Sequence, residues 1–167
     1  MELKQPATAL DHFNNAIALK PSFASAQNNR GNALRCLGRF AEALASYDTA
    51  LSQKSDDADA WYNRALALHD LKQHESALQS CEKALALKPD YAAAHNTCGL
   101  ALKEMGQAQA AVEAYDRALA IKPDLAEAWT NRGVALQCLQ KYEAALQSYD
   151  QAIVYAPEVA QTWSNRG

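Results

Sequence analysis

The stretch from Ala126 to Val159 reads AEAWTNRGVALQCLQKYEAALQSYDQAIVYAPEV and contains two helical patterns in succession. In the first pattern, apolar or small residues stand at 129, 133, 136 and 139, and steps of three and four place them on one face of a helix. The second pattern begins at Tyr142 with the same spacing. Pro157 ends it, because proline lacks a backbone N–H and disfavours helix in the residue before it. The stretch therefore predicts two antiparallel helices joined by a tight turn.

The same residues recur every 34 positions along the chain. One column consists of Pro21, Ser55, Pro89, Pro123 and Pro157. Other columns consist of Gln27, Trp61, His95, Trp129 and Trp163; of Gly31, Ala65, Gly99, Gly133 and Gly167; of Ala43, Ala77, Ala111 and Ala145; and of Tyr47, Cys81, Tyr115 and Tyr149. One helical hairpin cannot bury its own apolar face, so the recurrence predicts hairpins stacked on their neighbours. Gly133 is a poor helix former, and we expect it to allow a close approach between helices.

The run Trp129-x-x-Arg132-Gly133, followed by Ala145, Tyr149, Ala152 and Pro157, resembles the tetratricopeptide repeat (TPR). The resemblance covers essentially the whole chain and implies an all-α fold, namely an α-α superhelix in which antiparallel helix hairpins form a right-handed solenoid. We expect a single array over residues 1–167. It has a second helix of a partial repeat at 6–23, full repeats at 24–57, 58–91, 92–125 and 126–159, and the start of a further repeat at 160–167.

Composition limits the classes of partner. The formal net charge is −3 and the pI is near 5.8, which argues against a general nucleic-acid or anionic-membrane binder. No apolar run is long enough to cross a bilayer, and the first residues lack the basic and apolar regions of a signal peptide. A cytoplasmic location is expected. Because both ends fall within a repeat, the chain is interpreted as a fragment of a longer protein.

Catalytic, metal and cofactor sites are not predicted. The four cysteines form no CxxC pair and have no adjacent histidine pattern, so free thiols are expected. The four histidines stand in different columns, without a repeat-spaced nucleophile or carboxylate, and there is no glycine-rich phosphate loop. We therefore expect a protein that is not an enzyme and has no cofactor.

The family resemblance implies that the first helix of each repeat lines a concave groove, which binds an extended peptide or a partner segment. The candidate groove residues lie on the first helices and are not assigned to the core. They are Asn28, Asn29, Asn32, Arg35, Tyr62, Asn63, His69, Asn96, Thr97, Lys103, Thr130 and Asn131. Asparagine recurs in one column although it is a poor interior helix former. Its amides are either spaced to hold a peptide backbone, or they bond within the hairpin or to the neighbouring repeat. The first arrangement resembles the asparagine ladder of O-linked N-acetylglucosamine transferases, and Thr97 interrupts it here.

Three functions remain open: a protein-interaction scaffold, the substrate-recognition arm of a larger enzyme such as a glycosyltransferase, and a structural fragment without a specific ligand. A carboxylate clamp of the kind found in chaperone-binding members looks incomplete, because the repeat after Asn28, Asn32 and Arg35 lacks a basic set. An RNA reader of the pentatricopeptide kind is disfavoured by the acidic balance and by the signature residues.

Two further expectations concern packing and assembly. Arginine occupies one column at Arg30, Arg64, Arg132 and Arg166. Either its stem packs while its head reaches solvent, or it pairs with an acid of the preceding helix, as Asp48 with Arg64, Asp116 with Arg132 and Asp150 with Arg166. The half-repeats at the two ends are roughly complementary, so head-to-tail self-association between copies is expected.

Overall fold

A computed structural model describes residues 4–158 and 160–166, and within these ranges the chain contains helices and turns but no strand. The predicted all-α class is confirmed. Gly167, the last member of the glycine column, lies outside the described residues. The helices are α1 (Lys4–Leu19), α2 (Ala24–Cys36), α3 (Phe40–Gln53), α4 (Ala58–Asp70), α5 (His74–Leu87), α6 (Ala92–Glu104), α7 (Ala108–Ile121), α8 (Ala126–Cys138), α9 (Tyr142–Tyr155) and α10 (Ala160–Arg166).

The chain divides into two compact units, Met1–Pro89 and Asp90–Gly167. In the first unit, α2 forms a hairpin with α3, and α4 forms one with α5. Helix α1 packs on α2, and α3 packs on α4. In the second unit, α6 pairs with α7 and α8 with α9, while α7 packs on α8 and α9 on α10. Each unit is thus a run of helix hairpins in which the second helix of one contacts the first helix of the next.

A tyrosine ring packed on a glycine fixes the spacing within three of the hairpins. A Cβ atom built on Gly31 would lie 2.8 Å from Cδ1 of Tyr47, and Gly99 and Gly133 stand in the same relation to Tyr115 and Tyr149. All three tyrosines are at most 1% exposed. Their rings form part of two apolar clusters, one around Leu34 in the first unit and one around Leu136 in the second. The close approach predicted at Gly133 is therefore made by a side chain of the partner helix.

The hairpin of α4 and α5 differs from the other three at both positions of this contact. Ala65 replaces the glycine and Cys81 replaces the tyrosine, and both residues are fully buried. The two changes compensate because the smaller side chain on α5 leaves room for the methyl group on α4.

The tryptophan column is tied to the proline column by hydrogen bonds. Trp129 Nε1 donates to the carbonyl oxygen of Pro123 at 2.8 Å, and Trp163 Nε1 donates to that of Pro157 at 2.9 Å. Trp61 Nε1 makes the same bond at 2.9 Å to Ser55, the residue that replaces proline in its column. Each bond fixes the first turn of a hairpin's first helix to the loop before it.

The glycine–tyrosine contact makes a testable prediction about stability. We expect Gly31→Ala to lower the free energy of unfolding by about 1–3 kcal/mol, because the added methyl group overlaps the Tyr47 ring. Cys81→Tyr alone is expected to be destabilising for the same reason, since Ala65 occupies the space. Combining Cys81→Tyr with Ala65→Gly should restore most of the loss. Urea denaturation of the wild type, Gly31→Ala, Cys81→Tyr, Ala65→Gly and the double variant measures these effects, and additive losses in the double variant would contradict the interpretation.

Candidate functional site

An arginine joins three helices at each of several junctions between hairpins. Arg64 of α4 donates from Nε to Asp48 Oδ1 of α3 at 2.7 Å and from Nη1 to Ser80 Oγ of α5 at 2.7 Å. Arg132 of α8 bonds in the same way to Asp116 of α7 at 2.6 Å and to Ser148 of α9 at 2.7 Å. Arg166 donates to Asp150 at 2.5 Å, so the predicted acid–arginine pairs are confirmed.

The sequence pattern indicated only acids as partners of these arginines and missed the serine that Arg64 and Arg132 contact on the following helix. The position of that serine nevertheless repeats along the chain. Serine stands 16 residues after three of the arginines, at Ser46, Ser80 and Ser148. Where Cys98 replaces the arginine, Ala114 replaces the serine. The first arginine of the column, Arg30, bonds to Ser46 Oγ at 2.6 Å and to the neutral Asn14 Oδ1 at 2.8 Å. These bonds hold α2, α4 and α8 in register with their neighbours and so position their solvent faces.

In the first unit, we call the predicted groove residues of α2 and α4 the α2–α4 face: Asn28, Asn29, Asn32, Arg35, Tyr62, Asn63 and His69. Asn63 Nδ2 donates to Asn28 Oδ1 at 3.1 Å, and Arg35 Nη1 lies 3.4 Å from Asp70 Oδ2, so two polar pairs cross from one helix to the other. Asn32 Oδ1 accepts a hydrogen bond from the Tyr47 hydroxyl at 2.7 Å.

One amide of this face has no bond to the described part of the protein. Asn29 is exposed, and it lines a cleft of about 370 Å³ between α1 and α2. Its α1 wall includes Pro6, Ala9 and Phe13, and its α2 wall includes Asn32 beside Asn29. The sequence assigned the α1 residues to a partial repeat and missed their part in this cleft. The cleft presents amide groups opposite an apolar wall.

In the second unit, the predicted residues of α6 and α8 form the α6–α8 face: Asn96, Thr97, Lys103, Thr130 and Asn131. Asn131 Nδ2 donates to Asn96 Oδ1 at 3.2 Å, which repeats the pair of the first unit. Asn96 and Thr97 are only 5% and 2% exposed, and Thr97 Oγ1 donates to the carbonyl oxygen of Ala93. These two side chains are therefore enclosed, while Lys103, Thr130 and Asn131 are partly exposed.

The remaining polar contacts of this face involve its neighbours. Lys103 Nζ lies 2.9 Å from Glu104 Oε1, and Thr130 Oγ1 lies 3.0 Å from Thr162 Oγ1 of α10. Both asparagine pairs join first helices of successive hairpins, so the interpretation of the column as bonding to the neighbouring repeat is correct for Asn63 and Asn131. Each of those side chains keeps its own carbonyl oxygen outside these bonds.

Burial changes the acidity of the three column tyrosines. It raises the pKa of Tyr149 to about 12, and it raises the pKa values of Tyr47 and Tyr115 still further above the ordinary phenol value. For Tyr115, the negative charges of Glu104 and Glu127 add to the effect of burial. These phenols therefore act as neutral hydrogen-bonding groups at neutral pH.

The described residues contain no group of three or more side chains suited to hold a metal ion. Within the same ranges, no helix combines the length and apolar character needed to cross a membrane. The four cysteines remain thiols, as predicted: Cys36 and Cys138 are exposed, and Cys81 and Cys98 are buried.

Consecutive helix hairpins with paired polar side chains on their first helices define a protein of the helical-hairpin repeat class. Family models described as tetratricopeptide repeat match residues 1–57, 33–92 and 126–159, and a model described as TPR repeat matches residues 101–140. The chain belongs to the tetratricopeptide repeat family, as the sequence resemblance indicated. No curated protein sequence matches it.

Solved structures of TPR proteins have the same fold. YrrB, described as a TPR protein with an unusual peptide-binding site, is 25% identical, with a TM-score of 0.79 over 96% of this chain and 83% of YrrB. MamA from Desulfovibrio magneticus RS-1 is 21% identical, with a TM-score of 0.83 over 93% of this chain and 88% of MamA. A thermophilic TPR protein from Thermus thermophilus, TTC0263, is also 21% identical, with a TM-score of 0.81 over 98% and 90% of the two chains.

The raised tyrosine pKa values predict a loss of stability at alkaline pH. The unfolded chain ionises its phenols near pH 10, whereas folded Tyr149 does so near 12. Between these values the unfolded state binds fewer protons, so the free energy of unfolding should fall as the pH rises. Urea denaturation at a series of pH values measures the slope. Tyr149→Phe should flatten it, and Tyr142→Phe, which changes a 64% exposed residue, is the control that should not.

Proposed function

We propose that this protein is an interaction scaffold that binds an extended peptide or partner segment on the first helices of its hairpins, with the α2–α4 face as the principal site. The observation that carries the proposal is the polar surface of this face, where Asn63 keeps its carbonyl oxygen outside its bond to Asn28 and exposed Asn29 faces Pro6, Ala9 and Phe13 of α1 across a cleft. An amide offers donors and an acceptor to a peptide main chain without selecting its sequence. The apolar wall supplies a place for one aliphatic or aromatic side chain of the peptide.

The contacts within the α2–α4 face determine which polar groups of its residues remain for a ligand. Asn28 and Asn63 bond to each other, and Asn32 is held by Tyr47, so these amides orient the face and have only their remaining groups for a ligand. Arg35 is paired with Asp70, and both side chains are about one-third exposed or less. The paired charges nearly cancel, which favours a neutral peptide segment over an acidic one.

The comparisons support the coarser part of this proposal. TPR proteins typically act through protein–protein interaction and are generally non-catalytic, so we infer that this chain is not an enzyme. YrrB, with the same fold, is described as having a peptide-binding site. The alternative is a recognition arm of a larger glycosyltransferase-like enzyme, which would bind its substrate on the same helices. No contact among the described residues favours this alternative. A cytoplasmic location stays a prediction.

Panning a random linear-peptide library displayed on phage against the wild-type protein tests the proposal. Synthetic versions of the selected peptides are then titrated by fluorescence anisotropy. Asn29→Ala should weaken binding about two- to tenfold, the effect of losing one hydrogen bond of about 0.5–1.5 kcal/mol. The stability of the free protein should not fall, because Asn29 makes no bond to the described residues and alanine is the better helix former. Asn15→Ala removes another exposed asparagine, on α1, and is the matched control.

The exposed thiols give a second measurement of the same site. Cys36 lines the cleft and Cys138 belongs to the second unit. In a Cys138→Ser variant, alkylation of Cys36 should block the selected peptides, and bound peptide should slow the alkylation. In a Cys36→Ser variant, alkylation of Cys138 should leave the cleft free. If no selected peptide responds to Asn29→Ala or to Cys36 alkylation, the α2–α4 face is not the binding site.

We also propose that copies of this chain associate head to tail through residues 6–23 and 160–167. Because residues 6–23 include the cleft wall of Pro6, Ala9 and Phe13, a second copy and a bound peptide would compete for this surface. Exposed apolar side chains near these segments support it: Leu19 is 89% exposed, Val154 70% and Trp163 50%. Light scattering over a range of concentrations should show a rising average mass, and Trp163→Ser should reduce the rise. Leu87→Ser, at a residue 45% exposed on α5, is the control. A strict monomer at high concentration would contradict the proposal.

A further inference from the structure

The three column tyrosines have equivalent rings but unequal hydroxyl groups. Each ring lies against the glycine of its hairpin, so the three hydroxyls reach equivalent positions. The Tyr47 hydroxyl donates to Asn32 Oδ1 at 2.7 Å, and the Tyr149 hydroxyl donates to Gln137 Oε1 at 2.7 Å. The Tyr115 hydroxyl is buried and has no hydrogen-bond partner among the described residues.

The repeat columns explain why the bond is missing. The position of Asn32 is taken by Leu100 in this hairpin, and Leu100 has no side-chain acceptor. The position of Gln137 is taken by Lys103, which is a donor only and whose ammonium is paired with Glu104 at 2.9 Å. Both replacements remove an acceptor, and neither puts another in its place.

The missing bond lies at the base of the α6–α8 face. Asn32 and Gln137, the partners of the other two hydroxyls, are side chains of first helices, so the Tyr115 hydroxyl points between α7 and the groove side of α6. Lys103 and Asn131 of this face are partly exposed. A buried hydroxyl without an acceptor is unfavourable in the free protein, and native structures rarely keep one.

We propose that the Tyr115 hydroxyl donates a hydrogen bond to a main-chain carbonyl of a peptide bound on the α6–α8 face, with Lys103 able to share the same oxygen. The inference rests on the proposed peptide-binding function and specifies the chemistry of the second unit's site. A carbonyl oxygen has two lone pairs and accepts both bonds. Lys103, Glu104 or both must shift to admit it, because the hydroxyl is enclosed in the free protein.

The charges around the hydroxyl favour a neutral acceptor. Glu104 and Glu127 lie close enough for their charges to raise the pKa of Tyr115. A carboxylate or phosphate at this point would be repelled by both. A peptide carbonyl avoids that repulsion and is present at every residue of an extended segment.

Three tyrosine-to-phenylalanine variants test the free protein. Tyr115→Phe removes only a hydroxyl that has no partner, so its urea midpoint should equal or exceed that of the wild type. Tyr47→Phe and Tyr149→Phe each remove a formed hydrogen bond, and their midpoints should fall. A midpoint for Tyr115→Phe that falls as far as those of the controls would overturn the inference, because the hydroxyl would then be bonded within the fold.

Two binding probes complete the test. The first is N-methylacetamide, which is the peptide group alone, titrated while the backbone NMR signals of Leu100 and Lys103 are followed. Their shifts should be larger in the wild type than in Tyr115→Phe, and equal shifts would overturn the inference. The second probe is the set of peptides selected by panning. Tyr115→Phe should weaken those that contact the second unit by about two- to tenfold.

The two proposals fail in different ways. Peptides that contact the second unit and respond to Asn29→Ala, but bind Tyr115→Phe as tightly as the wild type, would overturn only the role of Tyr115. Peptides that respond to Tyr115→Phe but not to Asn29→Ala, together with N-methylacetamide shifts that depend on Tyr115, would overturn the α2–α4 face as the principal site and support the role of Tyr115.

Discussion

The contact between a tyrosine ring and a glycine backbone determines the distance between the two helices of a hairpin, and the other features of each unit depend on that distance. A side chain on the glycine would push the first helix away from the second. In the hairpins α2–α3 and α8–α9, the arginine of the same first helix would then lose the serine on the second helix, which it meets at 2.6 and 2.7 Å. The hairpin without the contact, α4 with α5, keeps its packing because both positions changed together.

The arginine bonds act between hairpins rather than within one. Arg64 and Arg132 are about one-quarter exposed and their aspartates about half exposed, so each ion pair contributes little by itself, on the order of 1 kcal/mol or less. Their structural value lies in geometry, because one planar group with several donors joins three helices at fixed angles. The first helices α2, α4 and α8 are held in register in this way, and the Asn28–Asn63 pair joins two of them.

The sequence predicts the helices and the repeat length, and it offers the acid–arginine pairs as one of two interpretations, because each depends only on periodicity. A spacing of 16 residues joins the same two helix positions at Arg64, Arg132 and Arg166 alike. Periodicity also places Asn28, Asn29 and Asn63 on one side of their helices. It does not say which amides bond to each other, because that choice depends on side-chain rotamers and on competing donors such as the Tyr47 hydroxyl.

The cleft beside Asn29 and the missing bond of the Tyr115 hydroxyl could not be predicted from the sequence, for a related reason. The cleft is lined by two helices, and only their packing brings Phe13 opposite Asn29. The Tyr115 hydroxyl is distinguished by the absence of an acceptor on α6, which appears only when its column is compared with bonded members. In both cases the informative feature is a departure from the repeat, whereas the motif itself reports only packing.

The bonds from the tryptophan indoles to the carbonyls of the proline column give the molecule its own optical reporters. Trp61 belongs to the first compact unit, while Trp129 and Trp163 belong to the second. Indole fluorescence changes when the ring gains water, so each residue reports the opening of its own loop. In chains built from nearest-neighbour contacts, unfolding need not be all-or-none. Versions of the protein that retain a single tryptophan would resolve, without any added dye, whether the two units melt together or in sequence.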